Sequence, residues 1–148
     1  MGLLDRVAGW LQAAEDEAPD DERDLHLACA VLLFEVARAD HDFDEAEFSR
    51  LRELLRTRWE LEPAALEELL EQARRESAEG ISLHAWLDTL NRRLSREQKY
   101  RLLYDLWSVA WADGRIHHYE EHLIRRLADL LYVPHSQFIR ARHEAGET

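Results

Sequence analysis

Two stretches of the chain, Val36–Glu47 (VARADHDFDEAE) and Val109–Glu120 (VAWADGRIHHYE), repeat one pattern at an offset of 73 residues. In each copy a nearly apolar segment with helical spacing runs into a short turn that carries Asp, and a second helical segment carrying Glu follows. The matched positions are Val36/Val109, Ala37/Ala110, Ala39/Ala112, Asp40/Asp113 and Glu47/Glu120, with Phe43/Ile116, Leu51/Ile124 and Leu54/Leu127 conserving apolar character. We therefore predict two helix-turn-helix units and expect function where the acids of the two turns meet.

Length and composition place both units in one core. A chain of 148 residues with three prolines and five glycines is long enough for one helical domain and too short for two independent ones. Apolar spacing and capping signals predict helices at 21–39, 44–58, 63–77, 83–94, 96–111, 117–132 and 134–143. The predicted fold is an all-α single compact bundle of about seven to eight helices with an internal pseudo-two-fold repeat.

The first twenty residues differ in character from the rest. Leu3, Leu4, Val7, Trp10 and Leu11 have the spacing of a short amphipathic helix, and residues 15–24 hold seven acids against one arginine. We predict an N-terminal amphipathic helix with an acidic linker over 1–20 and the helical domain over 21–148. The helix either packs on its own domain or serves as a docking arm for a partner.

Charge and cysteine usage exclude several classes of function. The net charge of −12 disfavours binding to nucleic acid, which requires a basic surface, and favours cations or basic partners. A single cysteine, Cys29, permits no intramolecular disulfide and lies in an apolar run, where we expect it to be a small buried hydrophobe. No segment approaches the roughly 18 apolar residues of a membrane span, so stable membrane insertion is not expected and a cytoplasmic location is predicted.

The acids of the repeat are the candidate metal ligands. Asp40, Asp42 and Asp44 resemble the start of an EF-hand loop, but Glu45 and Leu51 stand where that loop needs its glycine and its bidentate glutamate. If the two units pack as pseudo-symmetric partners, four carboxylates converge and would repel one another unless a divalent cation bridges them. The four predicted ligands are Asp40, Glu47, Asp113 and Glu120.

The same acids have a structural interpretation. Asp44 and Glu47 occupy the N-cap and N3 positions of a capping box, while Asp40 and Asp113 are suited to turns that bond nearby amides. In the second copy His117 takes the N-cap position, yet Glu120 is still present. The sequence leaves a cation site and a set of helix caps as alternatives.

A second group of residues suggests hydrolysis. His118, Glu121 and His122 match the H-x-x-E-H signature of inverted zinc proteases, in which two histidines four residues apart hold zinc. Such a site also needs a distal third ligand and a substrate cleft. We keep a zinc-dependent hydrolase at these residues as the alternative function.

The duplicated unit, Ala112-Asp113-Gly114-Arg115-Ile116 with Glu120, echoed from Ala39 to Glu47, resembles the repeated signature of the TerB family. That family includes tellurite-resistance TerB and the N-terminal domain of the co-chaperone DjlA. The resemblance covers roughly residues 24–144 and implies a helical bundle with pseudo-two-fold internal symmetry and a metal-chelating role for the paired Asp and Glu. It implies no established enzymatic activity. His41 departs from the usual Gly, and His117 and His118 depart from the usual cap residues. The chain has no J-domain motif, so only the TerB-like module carries over.

These observations combine into one expectation about function. No nucleophile with an evident base, glycine-rich phosphate loop or paired-cysteine motif occurs in the sequence. We expect a non-enzymatic module of the tellurite or general stress response that binds protein partners and a divalent metal ion. The sequence determines neither the identity of the metal nor the oligomeric state.

Overall fold

Each helix predicted between residues 21 and 143 is present, with ends within three residues of the predicted ones. The computed structural model describes residues 20–38, 45–78 and 83–146, which form seven helices and connecting turns without a strand. The helices are α1 (Asp20–Ala37), α2 (Glu45–Trp59), α3 (Pro63–Ala78), α4 (Leu83–Arg93), α5 (Arg96–Ala110), α6 (His118–Leu130) and α7 (His135–Gly146). The all-α prediction is confirmed, and the predicted N-terminal helix and most of its acidic linker lie outside the described residues.

Helix α1 is the centre of the bundle. It packs against α2, α3, α4, α5 and α6. From Leu27 to Ala37 its side chains are buried on every side except at Glu35, which is partly exposed and accepts a hydrogen bond from Ser77 Oγ at 2.7 Å. A helix that is apolar on almost every side, as this segment is, is expected to be surrounded by protein.

Helix α5 is the second organising element and packs against α1, α2, α6 and α7. A capping box begins the helix, because Ser95 Oγ accepts the Gln98 amide and Gln98 Oε1 accepts the Ser95 amide. Of the aromatic residues that follow at helical spacing, Trp107 is fully buried, and its ring lies 5.3 Å from that of Phe138 on α7. Tyr100, Tyr104 and Trp111 are only partly buried.

The matched apolar positions of the two copies are alike in burial. Val36 and Val109, Ala37 and Ala110, and Leu51 and Ile124 are all fully buried. Ala39 falls outside the described residues, and its counterpart Ala112 is partly exposed. Shared burial agrees with two similar helix-turn-helix units, while the pseudo-two-fold relation between them stays a prediction.

Candidate functional site

The turn between α5 and α6 holds the acids of the second copy. Gly114 adopts φ +95°, a left-handed conformation that favours glycine, and its amide donates to the carbonyl of Trp111 at 2.9 Å. Within this turn, Asp113 Oδ1 accepts a hydrogen bond from the Arg115 amide at 3.2 Å. Asp113 Oδ2 lies 2.8 Å from Nε2 of His117. Asp113 therefore closes the turn, as its structural interpretation predicted.

Glu120 also contacts His117. Its Oε1 accepts the backbone amide of His117 at 3.0 Å, which is the N3-to-N-cap half of a capping box. Glu120 is fully buried, although it stands in the first turn of a helix whose neighbouring residues His118 and Tyr119 are exposed. The structure thus brings Asp113 and Glu120 together around His117; we call these three residues the acidic turn.

The acidic turn keeps its aspartate ionised. Partial burial alone would raise the pKa of Asp113, but the hydrogen bonds from the His117 ring and the Arg115 amide outweigh that effect and lower it. The His117 and Asp113 side chains retain 25% and 16% of their exposure, so solvent reaches the pair. Asp113 is a carboxylate at neutral pH.

In the first copy only the glutamate is described. Glu47 lies in the first turn of α2 and, like its counterpart Glu120, has 0% exposure. Asp40 and the rest of the first turn, residues 39–44, lie outside the described residues. The convergence of all four predicted ligands stays a prediction.

A cation at these positions would require side chains to move. Within residues 20–38, 45–78 and 83–146, no group of three or more His, Cys, Asp or Glu side chains is arranged to hold a metal ion. Both oxygens of Asp113 and one of Glu120 are engaged by His117 and Arg115. The donors suit a hard cation in kind, but the acidic turn as it stands is a hydrogen-bonded turn.

The residues of the predicted hydrolase site lie on the exposed face of α6. His118 and His122 are both exposed, and their Nε2 atoms are 3.1 Å apart. Glu121, which would serve as the general base, is 3.2 Å from Arg142 on α7 through Oε1. The described part of the chain supplies no third ligand beside the two histidines.

A cleft that the sequence did not reveal opens between α1, α2 and α5. It has a volume of about 270 Å³, and its apolar lining includes Leu25, Leu33, Leu54, Leu55, Leu94 and Leu102. At one wall the rings of His26 and Trp59 stack at 4.1 Å. Burial, and then the charge of Asp105, raise the pKa of the Cys29 thiol in this cleft to about 12, so the thiol stays protonated and is not a nucleophile.

An ion pair between a partly exposed arginine and a buried aspartate also lines the cleft. The guanidinium of Arg58 on α2 donates from Nη2 to Asp105 Oδ1 at 2.5 Å and from Nε to Oδ2 at 3.2 Å. The hydrogen bond to Asp105 raises the pKa of Arg58, whereas burial raises the pKa of Asp105 despite its partner. Sequence reasoning missed this pair; its one signal was an acid, Asp105, on the apolar face of α5 between Leu102 and Val109.

One comparison with known proteins identifies the family of the chain. None of the described helices is long and apolar enough to cross a membrane. Neither the comparison with curated proteins nor the comparison with solved structures gave a match. The family model described as "Tellurite resistance protein TerB" matches residues 26–143, from α1 into α7. The chain therefore belongs to the TerB family and is a module of the tellurite-resistance type.

Proposed function

We propose that this chain is a non-enzymatic binding module of the tellurite or general stress response, which takes up a divalent cation at its acidic turns and binds a protein partner. One observation carries the cation proposal. Glu47 and Glu120, at equivalent positions of the two copies, each have 0% exposure in a chain of net charge −12. Burying a carboxylate costs free energy, which a hydrogen bond such as that from the His117 amide to Glu120 partly offsets and which a bound cation would offset further.

The chemistry of the donors selects the class of cation. Asp40, Glu47, Asp113 and Glu120 offer carboxylate oxygens, which suit calcium, magnesium or manganese. The lowered pKa of Asp113 keeps its oxygens charged at neutral pH. Because Asp113 Oδ2 is 2.8 Å from the His117 ring, we expect a cation bound at the second copy to alter the His117–Asp113 contact.

Thermal melting of metal-stripped protein tests the cation proposal. Calcium, magnesium, manganese and zinc are each added, since a ligand at about 100 times its dissociation constant stabilises the fold by about 2.7 kcal/mol. For a domain of this size that corresponds to a shift of roughly 5–10 °C. Asp113→Asn and Glu120→Gln keep the side-chain shape, and each should abolish the shift. Glu97→Gln, at an exposed glutamate in the first turn of α5, is the matched control and should keep it.

The same melting experiments distinguish a cation site from a set of helix caps. If no cation shifts the wild-type melt and the two turn variants only destabilise the fold, the acids are helix caps and the cation proposal is wrong. A shift that survives both turn variants and disappears in Glu97→Gln would place the cation elsewhere.

The cleft supports the partner proposal. An apolar cavity of about 270 Å³ has room for one large apolar side chain of a partner, and the charged groups of Arg58 and Asp105 border it. Leu25→Glu puts a charge in the lining at a partly exposed position, so the fold should survive while partner contact is lost. Proximity labelling in the native host compares this variant with Glu68→Lys, a control on an exposed residue of α3. Identical labelling patterns would exclude the cleft as the docking site.

A further inference from the structure

We propose that His118 and His122 form a second metal site, a two-imidazole chelate for a transition-metal ion such as Cu²⁺, Ni²⁺ or Zn²⁺. This site is independent of the acidic turns and of the cation proposed there. It differs in its donors, because imidazole nitrogens select transition metals and carboxylate oxygens select hard cations.

The geometry of the two rings carries the proposal. The histidines are four residues apart on α6, which places them on one face of the helix, one turn above the other. Their ring centroids are 4.5 Å apart, their ring planes are at 88°, and their Nε2 atoms lie 3.1 Å from each other. Two nitrogens at that separation, each about 2.0–2.1 Å from one ion, subtend an angle of about 100° at the ion. That angle lies between the square-planar and tetrahedral values, so no rearrangement of the backbone is needed.

The surroundings define an open site with two protein ligands. Both histidines are exposed, so water completes the coordination sphere. Glu121 lies between them in sequence, but its carboxylate is 3.2 Å from Arg142, and no third His, Cys, Asp or Glu completes a group among the described residues. An ion held by two imidazoles and water binds reversibly, which suits capture of a transition metal rather than a permanent structural site.

The contact between the two rings indicates which nitrogens would hold the ion. An approach of two imidazole nitrogens to 3.1 Å requires one ring to donate a proton to the other. A metal ion would take the place of that proton at Nε2 while the proton moves to Nδ1 of the same ring, since only a deprotonated nitrogen is a ligand. The order of affinity should follow Ni²⁺ < Cu²⁺ > Zn²⁺.

Copper titration of the full chain tests the proposal. Cu²⁺ is added to metal-stripped protein, with the isotherm giving the dissociation constant and electron paramagnetic resonance giving the number of coordinated nitrogens. We expect one ion per chain with two imidazole nitrogens. His118→Gln and His122→Gln should each weaken that site by about 100-fold or more, because either change removes the gain from chelation.

Control variants separate this site from the rest of the molecule. His135→Gln removes an exposed histidine on α7 and should leave the affinity unchanged. Asp113→Asn should also leave the copper affinity unchanged, although it should abolish any calcium or manganese shift at the acidic turn. Loss of copper binding in Asp113→Asn, or an unchanged affinity in both His118→Gln and His122→Gln, would overturn the proposal.

Discussion

The bundle holds partly buried ionisable groups at two places that are built in opposite ways. The acidic turn joins Asp113, His117 and Glu120 within eight consecutive residues, through hydrogen bonds to neighbouring backbone amides and one ring. The ion pair of Arg58 and Asp105 joins two helices across 47 residues of chain. The first is a local device that any isolated turn of this sequence could begin to form, whereas the second exists only when α2 packs on α5.

The acidic turn and the ion pair also differ in what they contribute to the protein. The acidic turn satisfies backbone groups at the start of α6, where the first amides of a helix have no partner within the helix. In the ion pair, each charge compensates the burial of the opposite charge. Removing one member leaves the other charge partly buried without a partner. We therefore expect the non-local pair to matter more for stability and the local turn to matter more for binding.

The largest expected effect is at the non-local pair. Asp105→Ala leaves the Arg58 guanidinium beside the cleft, and breaking a buried pair costs about 3–5 kcal/mol. Because Arg58 keeps 27% of its side-chain exposure, we expect a smaller loss, about 2–3 kcal/mol. Urea denaturation measures it, and the double variant Arg58→Leu/Asp105→Leu should recover part of the loss. A loss below about 1 kcal/mol in Asp105→Ala would show that the pair contributes no more than a surface pair.

The next effect compares the two buried glutamates. Glu120→Ala removes the acceptor of the His117 amide, and the loss of such a cap costs about 0.5–2 kcal/mol. If the two copies use their glutamates alike, Glu47→Ala should cost the same within about 0.5 kcal/mol. Glu97→Ala, at an exposed first-turn position of α5, is the control and should change stability less than either. Clearly unequal losses of stability in Glu47→Ala and Glu120→Ala would show that the two glutamates play different structural roles despite the sequence repeat.

A smaller effect concerns His26 at the cleft. Burial lowers the pKa of His26, and the opposing attraction of Glu22 only partly offsets it. The unfolded chain therefore takes up a proton before the folded chain does, and stability present above about pH 6.5 is lost as the pH falls through the lower folded pKa. Melting curves between pH 8 and pH 5 should show this loss in the wild type and not in His26→Gln. Parallel pH profiles for the two proteins would contradict it.

The smallest effect concerns Asp113 and appears only in acid. Because the pKa of Asp113 is lowered in the fold, its contribution is present above its unfolded value of about 3.9 and is lost as the pH falls through the folded value. The stability difference between the wild type and Asp113→Asn should therefore be constant at neutral pH and shrink below about pH 4. If the stability difference between the two proteins instead grew as the pH falls, hydrogen bonds to the Asp113 carboxylate would not be its cause.

Part of the candidate site could be predicted from local spacing. The pairing of Ser95 with Gln98 and of His117 with Glu120 follows from positions three residues apart at a helix start, where the geometry of one turn decides the contact. The full burial of Glu47 and Glu120 was not predicted, because capping glutamates are commonly exposed and nothing within their own turn shows what packs above them.

The sequence by itself determined the helical class, the approximate helix boundaries and the duplicated turn, because helical periodicity, proline, glycine and capping residues act within a few positions along the chain. Only the tertiary structure decided that α1 is surrounded from Leu27 to Ala37, that Arg58 meets Asp105, and that a cleft opens beside His26 and Trp59. The reason is physical. Hydrophobic burial has no direction, so the pattern along one helix shows that a face will be covered but not which helix covers it.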